Sequence, residues 1–193
     1  DNNGSQTVLG GDLTSPVIML VSNSEPTNDG DTSANTDLSI DFALWPGFTV
    51  GNLVWVDSNN DGLFAGGETG LNGVTVDLMN LGVDDALGGS GLNADSVVST
   101  AATASGGTYA VKTYTPGRYY VRVTPVSGFE LVSSTASTLD NGVDNDNNGV
   151  QPGGFNTSVR GPIITLAAGT EPGASGTTST DNTQDFGLRP CPT

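Results

Sequence analysis

The sequence predicts an all-β fold, an antiparallel β-sandwich, and three observations lead there. From residue 50 onward short apolar runs alternate with polar residues at a period of two rather than 3.6. Clusters of Gly, Asn, Asp and Pro punctuate these runs at short intervals. The composition agrees: 28 Gly and 10 Pro with only 13% charged residues describe many short strands joined by turns. A chain of 193 residues can bury one sizeable core plus an extra segment.

Strands are expected over Thr49 to Val56, Gly73 to Met79, Ser96 to Ala101, Thr108 to Tyr114, Arg118 to Thr124, Ile163 to Ala167 and Thr183 to Leu188. The clearest places Tyr119, Val121 and Val123 on one face and Tyr120, Arg122 and Thr124 on the other, a half-buried strand. Seven strands at this spacing read as an Ig-like sandwich. The Gly-, Asp- and Asn-rich stretch Leu81 to Asp95 reads as a long excursion between two of them.

The chain also repeats itself. Pro16-Val17-Ile18-Met19-Leu20 aligns with Pro162-Ile163-Ile164-Thr165-Leu166, and Ser24-Glu25-Pro26 with Thr170-Glu171-Pro172. Thr36-Asp37 matches Thr180-Asp181, and Asp41-Phe42-Ala43-Leu44-Trp45-Pro46 matches Asp185-Phe186-Gly187-Leu188-Arg189-Pro190. Asp1-Asn2-Asn3-Gly4 repeats Asp146-Asn147-Asn148-Gly149. Five strings in the same order divide the chain into the closing third of one repeat (1–46), a complete second copy (47–190) and a short tail (191–193).

The net charge of -16 comes from 21 Asp and Glu against five Lys and Arg, with no His. So few cations form no basic patch, which argues against nucleic acid and anionic membranes as partners. No apolar run approaches a membrane span, the longest being Val17 to Val21. The single cysteine, Cys191, excludes an internal disulfide. The start Asp1-Asn2-Asn3-Gly4 reads as a processed product or a fragment.

Acidity keeps an extracellular protein soluble, but here the acids also gather with Asn and Gly. Asp57 to Glu68 fits D-x-[DN]-x-[DN]-G-x5-E at every specified position. Oxygens of Asp57, Asn59 and Asp61 can converge on a hard cation. Gly62 permits the sharp turn, Leu63 offers its carbonyl, and Glu68 closes the shell. The flanking runs are strand-like, so the loop reads as a structural calcium (Ca2+) clamp rather than a helix-loop-helix sensor. A second candidate starts at Asp144, with Asp146 and Asn148 at positions three and five, Gly149 at six and the carbonyl of Val150 next. Position twelve is Phe155, so Asp140 or an acid from another loop must complete the shell.

Gly51 to Asp57, the loop, and Glu68-Thr69-Gly70-Leu71-Asn72-Gly73-Val74-Thr75-Val76 closely resemble the start of the calcium-binding B repeats of serine-aspartate-repeat surface adhesins. Gly117 to Pro125 with Gly128-Phe129 resembles that family's later strand, and Asp185 to Leu188 its last. The resemblance implies a prealbumin-like β-sandwich, several structural calcium ions and a rigid stalk unit. Ala104-Ser105-Gly106-Gly107 stands where the family carries an Asp-containing turn, which argues against a third site there.

Related pilin-like sandwiches carry Lys-Asn isopeptide bonds, but Lys112, the only lysine, falls on the polar side of its strand. Asn3-Gly4-Ser5 and Asn156-Thr157-Ser158 fit the short glycan acceptor pattern, and Thr177 to Thr183 is either a sugar-bearing or a plain polar loop. Without His, and with one terminal Cys, the usual nucleophile-base dyads cannot be built. The expectation is therefore a non-enzymatic, secreted or cell-surface structural protein. Three outcomes compete for residues 1–46: they insert into the next subunit as a donor strand for self-association into a head-to-tail filament, which is the expectation, they fold back on their own domain, or they stay loose because the chain is a fragment. The alternatives are a stalk repeat of a larger protein, or a module binding a glycan or a host surface ligand through Trp45, Trp55, Tyr114, Tyr119 and Tyr120.

Overall fold

The computed structural model describes residues 2–6, 12–44, 47–135, 142–169, 171 and 179–191. Trp45, Asp140 and Thr177, named above, lie outside them. The chain forms two compact units, Asp1–Trp45 and Pro46–Thr193.

The second unit is all-β. Its strands are β1 (Phe48–Val50), β2 (Val54–Val56), β3 (Thr69–Gly70), β4 (Thr75–Asn80), β5 (Ser96–Ala102) and β6 (Val111–Thr113), followed by β7 (Gly117–Thr124), β8 (Leu131–Val132), β9 (Val159–Arg160), β10 (Ile164–Leu166), β11 (Thr180–Asp181) and β12 (Phe186–Arg189). One sheet runs β10-β7-β4-β5, with β9 also on β7, and every pairing in it is antiparallel. Facing it are two smaller sheets, β11-β1-β6 and β3-β2-β12-β8. Val76, Leu78, Val121, Val123, Ile164 and Leu166 project from the large sheet into one core with Phe48, Val50, Val54, Val111, Phe186 and Leu188. This is the sandwich that period-two alternation demands, because alternate residues must find a second apolar face.

Three expectations change. The strand expected over Thr49 to Val56 is broken at residues 51–53, because Gly51 passes against the Tyr109 carbonyl, where a Cβ would lie 2.6 Å from the oxygen. The bend carries the chain from β1 into the neighbouring sheet as β2. The pairing is also not wholly antiparallel: β1 runs parallel to β11 and β2 parallel to β12. The closing segment therefore tracks the opening one along its length, and both cross the bend together, with Gln184 N–H donating to Gly51 O and Phe186 N–H to Leu53 O. Finally, Tyr120 is buried although it faces outward. It packs with Met79 and Leu81, with Ile163 alongside, and its hydroxyl donates to Asp95 Oδ2 (2.9 Å) at the end of the 81–95 excursion. Arg118 Nη1 meets Asp85 Oδ2 of the same excursion at 2.9 Å.

The first unit contains no strand ladder among its described residues. A bridge joins Ser5 and Thr14, and Asn3 N–H donates to Asp41 O at 2.9 Å. Several of its apolar side chains face solvent: Val17 is 100% exposed and Leu44 82%, whereas Leu188, the counterpart of Leu44 in the second copy, is fully buried.

Leu78 lies at the centre of β4 with no exposure, so Leu78→Ala should cost roughly 2–5 kcal/mol of folding free energy. Leu87→Ala, on the exposed excursion, should stay within about 0.5 kcal/mol. Denaturant melts of the two variants check this difference.

Candidate metal centre

Asp57 leaves the end of β2 with its N–H donated to Leu188 O of β12 (2.9 Å), which fixes the mouth of the first acidic loop. The loop then turns on itself through its own carboxylates. Asp57 Oδ2 accepts from Gly62 N–H (3.0 Å), Asp61 Oδ1 from Leu63 N–H (2.9 Å), and Asp61 Oδ2 from Asn59 Nδ2 (2.8 Å). Glu68 reaches back to Ser58 N–H (2.8 Å) through Oε1. Gly62 has φ +77°, and a side chain there would place Cβ 2.5 Å from Thr135 O, so both conformation and space demand glycine.

Asp57 is 1% exposed, and its second oxygen, Oδ1, is buried without a hydrogen-bond partner. Leaving such an atom unsatisfied costs about 1–3 kcal/mol. A hard cation is the natural partner for a carboxylate oxygen held this way, and the surrounding donor set of Asp, Asn, Glu and a backbone carbonyl is all oxygen. The residues thus fit calcium chemically. Among the described residues, however, no three acidic or thiol groups converge on one point; the carboxylates are turned onto loop N–H groups instead.

The second acidic stretch is locked against the first. Leu63 and Asp146 form a bridge, with Phe64 N–H donating to Asn145 O (2.9 Å) and Asn147 N–H to Gly62 O (2.8 Å). Of the residues expected there, Asp146 and Asn148 are buried and joined by Asn148 Nδ2 to Asp146 Oδ1 (3.5 Å). Asp144 is exposed and accepts from Asn52 Nδ2 (2.9 Å). Val150 pairs with Arg160 in both directions, so its carbonyl already accepts an N–H. Asp140 lies outside the described residues.

Two organising residues escape a motif search. Asn147 is fully buried; its Oδ1 accepts from Gly149 and Gly187 N–H, and its Nδ2 donates to Thr135 O (3.0 Å) and Gly149 O. Asp185, also fully buried, accepts from Leu53 N–H (2.9 Å) and Asn145 N–H (2.8 Å), tying β2 to the second loop. Asp185 was signalled by the repeated Asp-Phe string and by the resemblance of Asp185 to Leu188 to the family's last strand, and Asn147 only by the repeated Asp-Asn-Asn-Gly string, neither of which assigned a role.

Burial pushes the Asp185 carboxyl up to about 8; the Asn145 N–H opposes this, and the charge and hydrogen bond of Asp144 add to it. Burial also raises Asp181, against its bonds from Thr183. A carboxyl whose value is raised in the fold contributes stability that is complete below the unfolded value of 3.8 and is lost as pH rises through about 8. In chelator, melting should therefore weaken across that window by on the order of 2–4 kcal/mol. Asp185→Asn should flatten the profile; a chelated protein that grows more stable across the window would contradict the assignment.

Among the described residues, most of the aromatic side chains of the sugar-stacking alternative are not available at the surface. Trp55, Tyr119 and Tyr120 are buried, and of the described candidates only Tyr114 is exposed. Trp55 packs edge-on to Phe64 and lies against Gly187, where a Cβ would sit 2.9 Å from its ring. Lys112 is exposed on β6, away from the core an isopeptide bond would require. Among the described residues no helix is long and apolar enough to cross a membrane.

Comparison with known proteins agrees with this architecture. The chain is 30% identical over 112 residues to a fibrinogen-binding protein of Staphylococcus epidermidis, covering 57% of this chain and 9% of that protein. It is also 30% identical over 112 residues to serine-aspartate repeat-containing protein D of Staphylococcus aureus strain Newman, covering 58% of this chain and 8% of that protein. The chain thus spans less than a tenth of either relative. A family model for the SdrD B-like domain matches residues 48–151, more than half of the chain. From the first strand of the sandwich through both acidic loops, the chain belongs to the SdrD B-like domain family.

Proposed function

We propose that this chain is a non-enzymatic, calcium-stabilised structural unit of a secreted or cell-surface protein, joined head to tail through residues 1–46. The observation that carries the calcium reading is Asp57 Oδ1, a buried carboxylate oxygen without a partner inside a complete twelve-residue oxygen-donor loop. Asp57, Asn59, Asp61, Glu68 and the Leu63 carbonyl would hold one ion. Asp144, Asp146 and Asn148, with Asp140 and the remaining lone pair of the Val150 carbonyl, would hold another. Bound calcium would supply charge neutralisation for carboxylates that otherwise repel one another. The chain's own contribution is to brace the two loops against each other at Leu63 and Asp146.

Catalysis has no support in the chain's nucleophiles. There is no His, and the Cys191 thiol donates to Glu130 Oε2 (2.6 Å), which raises its pKa. A relative is named for binding fibrinogen; here the burial of Trp55, Tyr119 and Tyr120 favours the structural reading over a ligand platform. Assembly is supported by the contrast between copies. Ile164, Leu166, Phe186 and Leu188 are buried in the second unit, while Ile18, Leu20, Phe42 and Leu44 are exposed in the first. Strands of this composition seek a sheet edge, and a head-to-tail contact that does not close produces an open filament.

Calcium at one hundred times its dissociation constant should add about 2.7 kcal/mol, raising the melting temperature by roughly 5–10 °C over the chelated protein. Asp61→Ala should lose most of that increment, whereas Asp12→Ala, outside either loop, should keep it; an unchanged midpoint in chelator would remove calcium from the account. Deleting residues 1–46 should leave a folded, calcium-binding monomer in sedimentation experiments, and filaments persisting after the deletion would refute the donor role.

A further inference from the structure

The turn at the heart of the first acidic loop is gripped from outside the loop. Asn60 and Gly62 both have positive φ, +60° and +77°. Gly62 N–H donates to Asp57 Oδ2 (3.0 Å), and its carbonyl accepts from Asn147 N–H of the second acidic stretch (2.8 Å). Residues 133–135 wall the turn. Asn60 Oδ1 accepts from Ser134 N–H (2.8 Å), Thr135 Oγ1 donates to Asn60 O (3.3 Å), and the Thr135 carbonyl stands 2.5 Å from where a Gly62 Cβ would lie. That carbonyl is itself held by Asn147, whose Nδ2 donates to it at 3.0 Å. Asn147 thus meets the Gly62 turn twice, directly through its backbone and indirectly through Thr135. Its Oδ1 meanwhile takes N–H bonds from Gly149 and from Gly187 of β12, each at 3.1 Å.

We infer that Asn147 is a positioning residue for calcium at the first loop, an inference that rests on the calcium reading above: it supplies no ligand there, yet it fixes the turn that aims Asp57. Asn147 is fully buried, with two bonds at Oδ1 and two from Nδ2, so its side chain has nothing left for a cation. What it controls is the Asp57 carboxylate. Oδ2 of that group is committed to Gly62 N–H, so the direction of the unpartnered Oδ1 follows from the place of Gly62. Gly62 in turn stays where Asn147 and Thr135 hold it. The first unit separates this role from general folding. Asn2, the repeat counterpart of Asn147, clamps its own closing segment in the same way, its Oδ1 accepting from Gly4 N–H (3.0 Å) and Ala43 N–H (3.2 Å). Beside it Asn3 Oδ1 accepts from Asp41 N–H (2.8 Å), as Asn148 Oδ1 does from Asp185 N–H (2.7 Å). That part of the clamp forms in a unit whose sequence has no twelve-residue acidic loop. The bonds that reach the loop, Nδ2 to Thr135 O and N–H to Gly62 O, belong to Asn147.

Calcium titration of the full chain by isothermal calorimetry tests the assignment, the first loop's component being the one that Asp61→Ala removes. Asn147→Asp keeps the shape and the Oδ1 acceptor but replaces the Nδ2 donors with a carboxylate oxygen facing Thr135 O and Gly149 O. Negative charge added near a cation site tightens binding, whereas lost position loosens it, so the two effects have opposite sign. The affinity of that component should fall by roughly 10–100-fold; unchanged or tighter binding would overturn the inference and leave the calcium reading intact. Asn2→Asp, the same change in the first unit's clamp, should leave the affinity as it is, and equal weakening there would overturn the inference too. Leu78→Ala, titrated at a temperature where it is folded, controls for stability: it should bind as the wild type does, and a loss matching that of Asn147→Asp would reduce Asn147 to a purely structural role. Should Asn147→Asp fail to fold, Asn60→Gly decides the matter, because it accepts the positive φ and removes only the side-chain bonds to Ser133 and Ser134. It should weaken the same component, and an unchanged affinity would sink the positioning role. A wild-type titration with no component that Asp61→Ala removes would defeat the calcium reading itself, and this inference with it.

Discussion

The sandwich depends on one constraint: the segment that closes the domain must lie parallel to the segment that opens it. β11 and β12 follow β1 and β2 through the same bend, and the hydrogen bonds across that seam set the position of much else. Asp57 is placed because its N–H reaches Leu188. Trp55 packs because β12 presents Gly187, the only residue type that leaves room for its ring. Asp185 sits inside the seam and holds Leu53 on one side and Asn145 on the other. Both acidic loops therefore hang from the last ten or so residues of the fold, although those residues carry neither loop's motif.

The same constraint explains why two nearly identical strings behave in opposite ways. In the second unit Phe186 and Leu188 have β2 alongside and are buried; in the first unit Phe42 and Leu44 belong to no ladder and are exposed. Burying a side chain of this size contributes about 1.5–3 kcal/mol, which Phe186 and Leu188 gain in the second unit and Phe42 and Leu44 do not gain in the first. Composition does not separate the two cases. What differs is the partner.

The sequence made the long elements legible, because β4, β5 and β7 have enough residues for alternation to show and clear turn residues at both ends. The turn of the Asp57 to Glu68 loop was legible for a different reason: its glycine, its acidic and amide residues and their spacing are all local, and the structure folds it through its own carboxylates. The two-residue strands β3, β8, β9 and β11 were not, since a pairing that short is defined by its partner and not by its own pattern. Asn147 was hidden similarly. Its bonds run to Thr135 and Gly187, 12 and 40 residues away, and nothing in its own surroundings distinguishes it from neighbouring asparagines. The outward burial of Tyr120 depended on the path of the 81–95 excursion, which turn-rich composition leaves undetermined.

Parallel closure also governs how the domain bears load. The chain enters at Phe48, runs up β1 and β2, and leaves at Arg189 after running up β11 and β12 in the same direction. Entry and exit consequently lie at opposite ends of the seam. Tension applied between them acts along the strands, so the seam's hydrogen bonds are sheared together rather than opened one after another like a zipper. Resistance to such pulling is set by the barrier to unfolding rather than by equilibrium stability. A module with modest thermodynamic reserve can in this way be stiff under tension along its own axis.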